Sequence, residues 1–237
     1  MTPNKKTARL AGFCFLLMVV FGLAAELFFR QKLFVPNELA TTVTNITENV
    51  PLYRLGIVSD MLMALFYLLT AAMLYKLLVS VNKDLAALMV IFAAIGSVLL
   101  LGNILNEIAP LYILNGEGYA GALEPMLRQS LALTFFGLYE QGYMIGQVFF
   151  ALWVLPLGIL ICRSGAIPKF FGILFIVETI CGLAAVFVHF ILSNTSMETT
   201  LLCPGTAAEL LFMFWLLIWG VKKSKMTAPI SEVFSAR

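Results

Sequence analysis

The run LAALMVIFAAIGSVLLLGNILNEIAPLYI, residues 85–113, decides the fold. From Leu85 to Asn106 it carries no charged side chain, and its polar residues do not alternate with apolar ones. About 20 apolar residues at about 1.5 Å rise each cross the hydrocarbon core of a bilayer, so a run of this length reads as a membrane-crossing helix. Continuous apolarity also excludes an outer-membrane barrel, whose strands alternate. Five further runs of the same kind lie on either side, approximately at 9–29, 53–79, 131–162, 170–192 and 206–221. Between them stand polar and turn-forming clusters: Pro36-Asn37-Glu38, Val81-Asn82-Lys83-Asp84, Asn115-Gly116-Glu117-Gly118, Arg163-Ser164-Gly165 before Pro168, and Asn194-Thr195-Ser196. The expected fold is all-α, a polytopic membrane bundle of six transmembrane helices. It forms one integral-membrane domain over residues 1–237, with a cytoplasmic tail at 222–237.

Composition agrees. Of 237 residues, 61% are hydrophobic and 12% charged, about half the charged share of an ordinary soluble domain, and the mean hydropathy is +0.97. Too little polar surface is available to cover a core in water. A soluble globular domain, a disordered chain and a nucleic-acid binder are therefore excluded, and the lipid bilayer is the one partner that composition implies.

Orientation follows from the basic residues, which are held on the cytoplasmic face. With the N-terminus inside, eleven fall inside: Lys5, Lys6, Arg9, Lys76, Lys83, Arg163, Lys169, Lys222, Lys223, Lys225 and Arg237. Only Arg30, Lys32, Arg54 and Arg128 fall outside. Both termini are thus expected to be cytoplasmic. The basic start and Leu23-Ala24-Ala25 also fit a cleaved signal peptide, but the apolar core is longer than a usual signal segment, which favours an intact first helix. Cys14, Cys162, Cys181 and Cys203 show no metal or redox spacing. Asn45-Ile46-Thr47 and Asn194-Thr195-Ser196 match the glycosylation tripeptide, a short pattern that matters only in a eukaryotic secretory pathway.

Several strings together resemble a known family. They are Ala8-Arg9-Leu10-Ala11-Gly12, Tyr53-Arg54-Leu55-Gly56-Ile57-Val58-Ser59-Asp60, Arg163-Ser164-Gly165-Ala166-Ile167-Pro168 leading into Gly172, and Ala208-Glu209-Leu210-Leu211-Phe212 with Trp215-Leu216-Leu217 and Gly220-Val221. The chain resembles the bacterial multi-pass family catalogued as domain of unknown function 4386. The resemblance covers nearly the whole chain, is firmest at its two ends and carries no residue across 115–141. It implies a one-domain protein of the bacterial inner membrane and brings no activity with it.

Ionisable groups inside a bilayer cost about 2.5–3.5 kcal/mol each at a helix centre on insertion scales, so their placement is informative. Glu26, Asp60, Asn103, Asn106, Glu107, Glu140, Gln141, His189 and Glu209 all fall in the expected outer halves of their spans, and Glu178 falls near the middle of its own. Asn103, Asn106 and Glu107, at i, i+3 and i+4, share one helix face. The expected picture is an acidic pocket open outward above a greasy floor. Glu26 and Arg30 are spaced to pair at i, i+4, Arg54 is placed to reach Asp60 or a neighbouring helix, and two or three acids remain for protons, hydrogen bonds or a bound cation.

Three readings follow. One is a binding, transport or sensing site in which Asp60, Glu107 and Glu140 hold a cation, a proton or an amine-bearing small molecule; the absence of a recognisable internal repeat weighs against a transporter. The second is a metal-assisted hydrolase or transferase on a lipid-like substrate, with His189, Glu107, Asp60 or Glu209 as ligands, although one histidine is few and no catalytic motif appears. The third is a structural or accessory subunit whose acids are helix-packing groups, with Gly142 and Gly146 as a close-packing G-x-x-x-G pair. Residues 31–52 are too polar to cross and are expected to cap the pocket. Trp215 and Trp219 fit an interfacial aromatic belt, and the Lys222-Lys223-Ser224-Lys225 tail an anchor on anionic headgroups.

Overall fold

The computed structural model describes residues 5–36 and 38–221, and among them there is no strand. Its helices are α1 (Lys5–Leu33), the short α2 (Leu39–Glu48), α3 (Val50–Leu78), α4 (Lys83–Leu114), α5 (Pro125–Ser164), α6 (Lys169–Leu192) and α7 (Thr195–Ile218). All except α2 belong to candidate spans long and apolar enough to cross a membrane. The expected tail lies outside the described residues.

Local chemistry explains most of the boundaries. Asn82 caps α4, its side chain accepting from the Leu85 amide at 2.8 Å. Pro125 opens α5, where a missing N–H costs nothing, and Gly165 closes it at φ 61°, a left-handed conformation that glycine adopts without strain. The sixth span starts well before the point the sequence suggests. Asn194 is not loop but the N-cap of α7, accepting from the Met197 amide at 3.0 Å, so the helix begins eleven residues before the expected start at 206. Its polar first turns are satisfied internally: Thr199 and Thr200 donate to the carbonyls four residues back at 2.8 Å each.

Neighbouring helices run antiparallel and follow one another around a ring. Tyr53 meets Glu107 while Ala64 meets Ser97, which sets α3 against α4. Asn103 meets Tyr139 between α4 and α5, and His189 meets Glu198 between α6 and α7. The ring closes where α1 returns to α7: a methyl group on Gly12 would touch Leu216 and Leu217 at 3.0 Å, and Phe15 meets Phe212 edge-on. Helices α5 and α6 approach backbone to backbone, since a Cβ on Gly172 would stand 2.6 Å from the Gly158 carbonyl oxygen. The G-x-x-x-G reading holds only in part. Gly142 makes room for Asn103, whereas a Cβ on Gly146 would meet nothing nearer than 3.8 Å.

We call the end where α1 begins and α7 finishes the terminal end, and the opposite end distal. The largest apolar core occupies the terminal half, with Phe15, Tyr67, Trp153, Phe175 and Phe212 fully buried in it. The distal half of the ring is looser, and there the polar residues gather.

Candidate ligand-binding cavity

A cavity of about 870 Å³ occupies the middle and distal part of the ring, within the range of about 300–1,000 Å³ usual for small-molecule sites. Residues of α1, α3, α5, α6 and α7 line it, and none of α4. Its floor is aromatic: Tyr67 packs against Phe150 and edge-on against Trp153, with ring centroids 5.0 and 5.2 Å away. Toward the distal end the walls carry Glu26, Arg30, Glu140, His189 and Glu198, and at mid-depth Glu178 and Glu209.

Two π-helical turns shape the rim. The helix α1 widens to π geometry over Ala24–Arg30, and α6 does so over Val188–Leu192. Such turns are rare and recur at functional sites; here they carry Glu26, Arg30 and His189. Neither leaves a mark in the apolar pattern of its span.

The sequence-expected residues separate into distinct groups. The first is centred on Arg30, which donates to Asp60 Oδ2 at 2.5 Å, to the Tyr139 hydroxyl at 2.8 Å and to Glu26 at 2.8 Å. Its Nη1 lies 3.7 Å from Glu107, and Tyr139 donates in turn to Asp60 at 3.0 Å. Glu26 and Arg30 thus pair as their spacing suggested. The partner of Asp60 is Arg30, however, not Arg54, which is exposed and has no ion pair among the described residues. Asp60, Asn103 and Glu107 are buried behind the wall rather than in the cavity. Asn103 donates to the Tyr139 carbonyl at 2.7 Å and accepts from Asn106 at 3.0 Å. The polar face of α4 does point inward, but toward the seams with α3 and α5.

A second group lies on the rim. His189 sits between Glu198 Oε2, 2.8 Å from Nδ1, and Gln141 Oε1, 3.0 Å from Nε2, tying α6 to both neighbours. Glu198 was not expected, because the first turns of α7 read as loop.

The third group is Glu178 and Glu209. Each lies nine residues in from the terminal end of its helix, at Lys169 and Ile218 respectively, so the two share one depth. They are within electrostatic reach of one another. Glu209 was expected in the first turn of its helix; the earlier start of α7 moves it past the midpoint. Glu178, read alone, looked like a satisfied packing group, yet its Oε2 is buried and unpartnered, and so is the Tyr67 hydroxyl on the floor. Among the described residues, neither Glu178, Glu209 nor Glu140 has a hydrogen-bond or ion-pair partner. The small Gly205 leaves the space into which Glu178 fits, since a Cβ there would stand 2.7 Å from its Cγ.

The ligands imagined for a metal do not converge. His189 is on the rim, Asp60 and Glu107 surround Arg30, and Glu209 is deep. Among the described residues no group of three or more His, Cys, Asp or Glu side chains is arranged to hold an ion. The segment expected to cap the pocket does so only in its first part, where Gln31, Phe34 and Pro36 line the mouth. The helix α2 packs instead on the distal ends of α3, α4 and α5.

The family described as a domain of unknown function, DUF4386, matches residues 10–220. The chain belongs to this family. Since the match runs through the whole ring, the cavity lies inside the family's domain. No curated protein and no solved structure matches the chain.

Proposed function

We propose that this DUF4386 protein binds a cation or a cationic small molecule in the cavity, in a transport or sensing role. The observation that carries the reading is the pair Glu178 and Glu209, facing the cavity without a partner. The wall's cations are already engaged: Arg30 by Asp60 and Glu26, His189 by Glu198. Carboxylates left in a low-dielectric site attract positive charge from whatever fills it. The Arg30 group, which reaches from the wall to Asp60 and Glu107 behind it, is better suited to holding α1, α3, α4 and α5 together. This assigns Asp60, Glu107, Asn103 and Asn106 a structural part and moves the binding site to residues on α5, α6 and α7.

The protein is further proposed to lie in a bacterial inner membrane with both termini cytoplasmic. Lys5, Arg9, Lys76, Lys83, Arg163 and Lys169 gather at the terminal end, which supports that orientation. Thermal unfolding in lipid nanodiscs tests the binding reading, with butylammonium as probe. The midpoint should rise with ligand for the wild type, by the linkage that makes 100 Kd of ligand worth about 2.7 kcal/mol. The Glu178→Gln/Glu209→Gln variant should not respond. An equal rise in the two proteins refutes the assignment.

A further inference from the structure

We infer that the ligand is a single-chain lipophilic amine drawn sideways from the bilayer through the cleft between the distal halves of α1 and α7. The inference rests on the cationic reading above and adds the ligand's apolar body and its path.

The closest approaches between α1 and α7 lie at the terminal end. They are Gly12 with Leu216 and Leu217, Phe15 with Phe212, and the Arg9 guanidinium with the Ile218 carbonyl at 3.5 Å. Beyond them the two helices part. The π segment Ala24–Arg30 packs on α3, and the first turns of α7 pack on α6. Both nevertheless line the same cavity, α1 through Met18, Val19 and Leu23, and α7 through Leu201, Leu202 and Thr206. The proposed lateral path runs between these two linings. Its edges are apolar outside as well: Leu23 and Leu27 are 46% and 45% exposed.

The chemistry inside matches an amphiphile better than a bare ion. The cavity is far larger than a metal ion needs, and no metal-holding cluster is present among the described residues. Its deep end offers two carboxylates at one depth, above the ring of Tyr67. An ammonium group carries three donors and can bond to both carboxylates at once. Around them stand thioether, aliphatic and aromatic surfaces, among them Met18, Val19 and Phe150, against which an alkyl chain packs as lipid does. A single chain leaving through the α1–α7 cleft continues into the lipid without breaking the helix ring elsewhere.

The test uses the wild-type protein in nanodiscs and a dodecylamine carrying a photoactivatable diazirine near the chain end. Competition by unlabelled butylamine, dodecylamine and dodecanol is read as loss of labelling, with concentrations corrected for partition into the bilayer. Label mapped by mass spectrometry to residues 18–27 and 198–206, displaced at least tenfold more effectively by dodecylamine than by butylamine and not by dodecanol, is the expected result. Equal competition by the two amines overturns the lipophilic ligand while leaving the cationic reading standing. Specific label confined to 31–36 or 189–195 overturns the lateral path in favour of the distal mouth. Displacement by dodecanol as effective as by dodecylamine, or failure of every amine to compete, overturns the inference together with the cationic reading.

Discussion

Replacing Arg30 by methionine removes the only cation among the described residues in contact with Asp60 and Glu107, whose side chains are 3% and 5% exposed. Asp60 keeps only the Tyr139 hydroxyl on Oδ2, and its other oxygen is already unpartnered, as is Glu107 Oε2. Breaking a buried pair from one side leaves an uncompensated charge and costs about 3–5 kcal/mol. Asp60→Asn is gentler, because Arg30 retains Glu26 at 2.8 Å and Glu107 at 3.7 Å. Loss of one charge-assisted hydrogen bond suggests about 1–3 kcal/mol. In the double variant Arg30→Met/Asp60→Asn the orphaned charge at position 60 is gone. Its loss should fall short of the sum by about 1–3 kcal/mol, the scale of coupling between residues in contact. The assay is reversible unfolding in mixed micelles by increasing dodecyl sulfate fraction, followed by tryptophan fluorescence with Trp153 as the fully buried reporter. Comparison is confined to variants with unchanged transition slope. A loss below about 1 kcal/mol for Arg30→Met, or strict additivity in the double variant, refutes the claim that this cluster ties four helices together.

Four shorter predictions follow from the same structure. Gly172→Ala places a methyl against the Gly158 carbonyl, backbone that cannot move aside, and should cost about 1–3 kcal/mol in the same unfolding assay; Gly146→Ala, with open space around it, should be neutral or slightly stabilising. Gly142→Ala should displace Asn103 and break its bond to the Tyr139 carbonyl, a loss of about 1–3 kcal/mol that Asn103→Ala in the same chain should largely absorb. Glu178→Gln/Glu209→Gln removes two carboxylates that have no partner, so the ligand-free protein should unfold at a higher denaturant fraction while ligand stabilisation disappears; a less stable variant argues that the pair is held by something else. For orientation, Tyr119→Cys, at a site 97% exposed on the distal side, should react with a membrane-impermeant maleimide in intact cells, while Lys83→Cys should react only after permeabilisation; the reverse pattern inverts the topology.

How far the sequence carried this reading depends on the scale of the feature. Uninterrupted apolar runs determined the six spans and the all-helical class, because a bilayer accepts backbone only when its hydrogen bonds are closed within the segment. The i, i+4 spacing of Glu26 and Arg30 determined their pairing, since helix geometry alone brings them together. The inward face of α4 was legible too, but not what it faces. Asn103, Asn106 and Glu107 point at the seams with α3 and α5 because the ring order places α4 behind the cavity wall, and one helix carries no record of which neighbours meet in front of it. The start of α7 was missed for a local reason: Asn194-Thr195-Ser196 is as good a cap as it is a loop, and only the bond from the Met197 amide distinguishes the two. That difference of three turns moved Glu209 from the rim to the depth of Glu178. What tertiary structure alone decided is therefore the candidate site. Two carboxylates distant in sequence become a pair because α6 and α7 are antiparallel, and both line the cavity that α1, α3 and α5 complete.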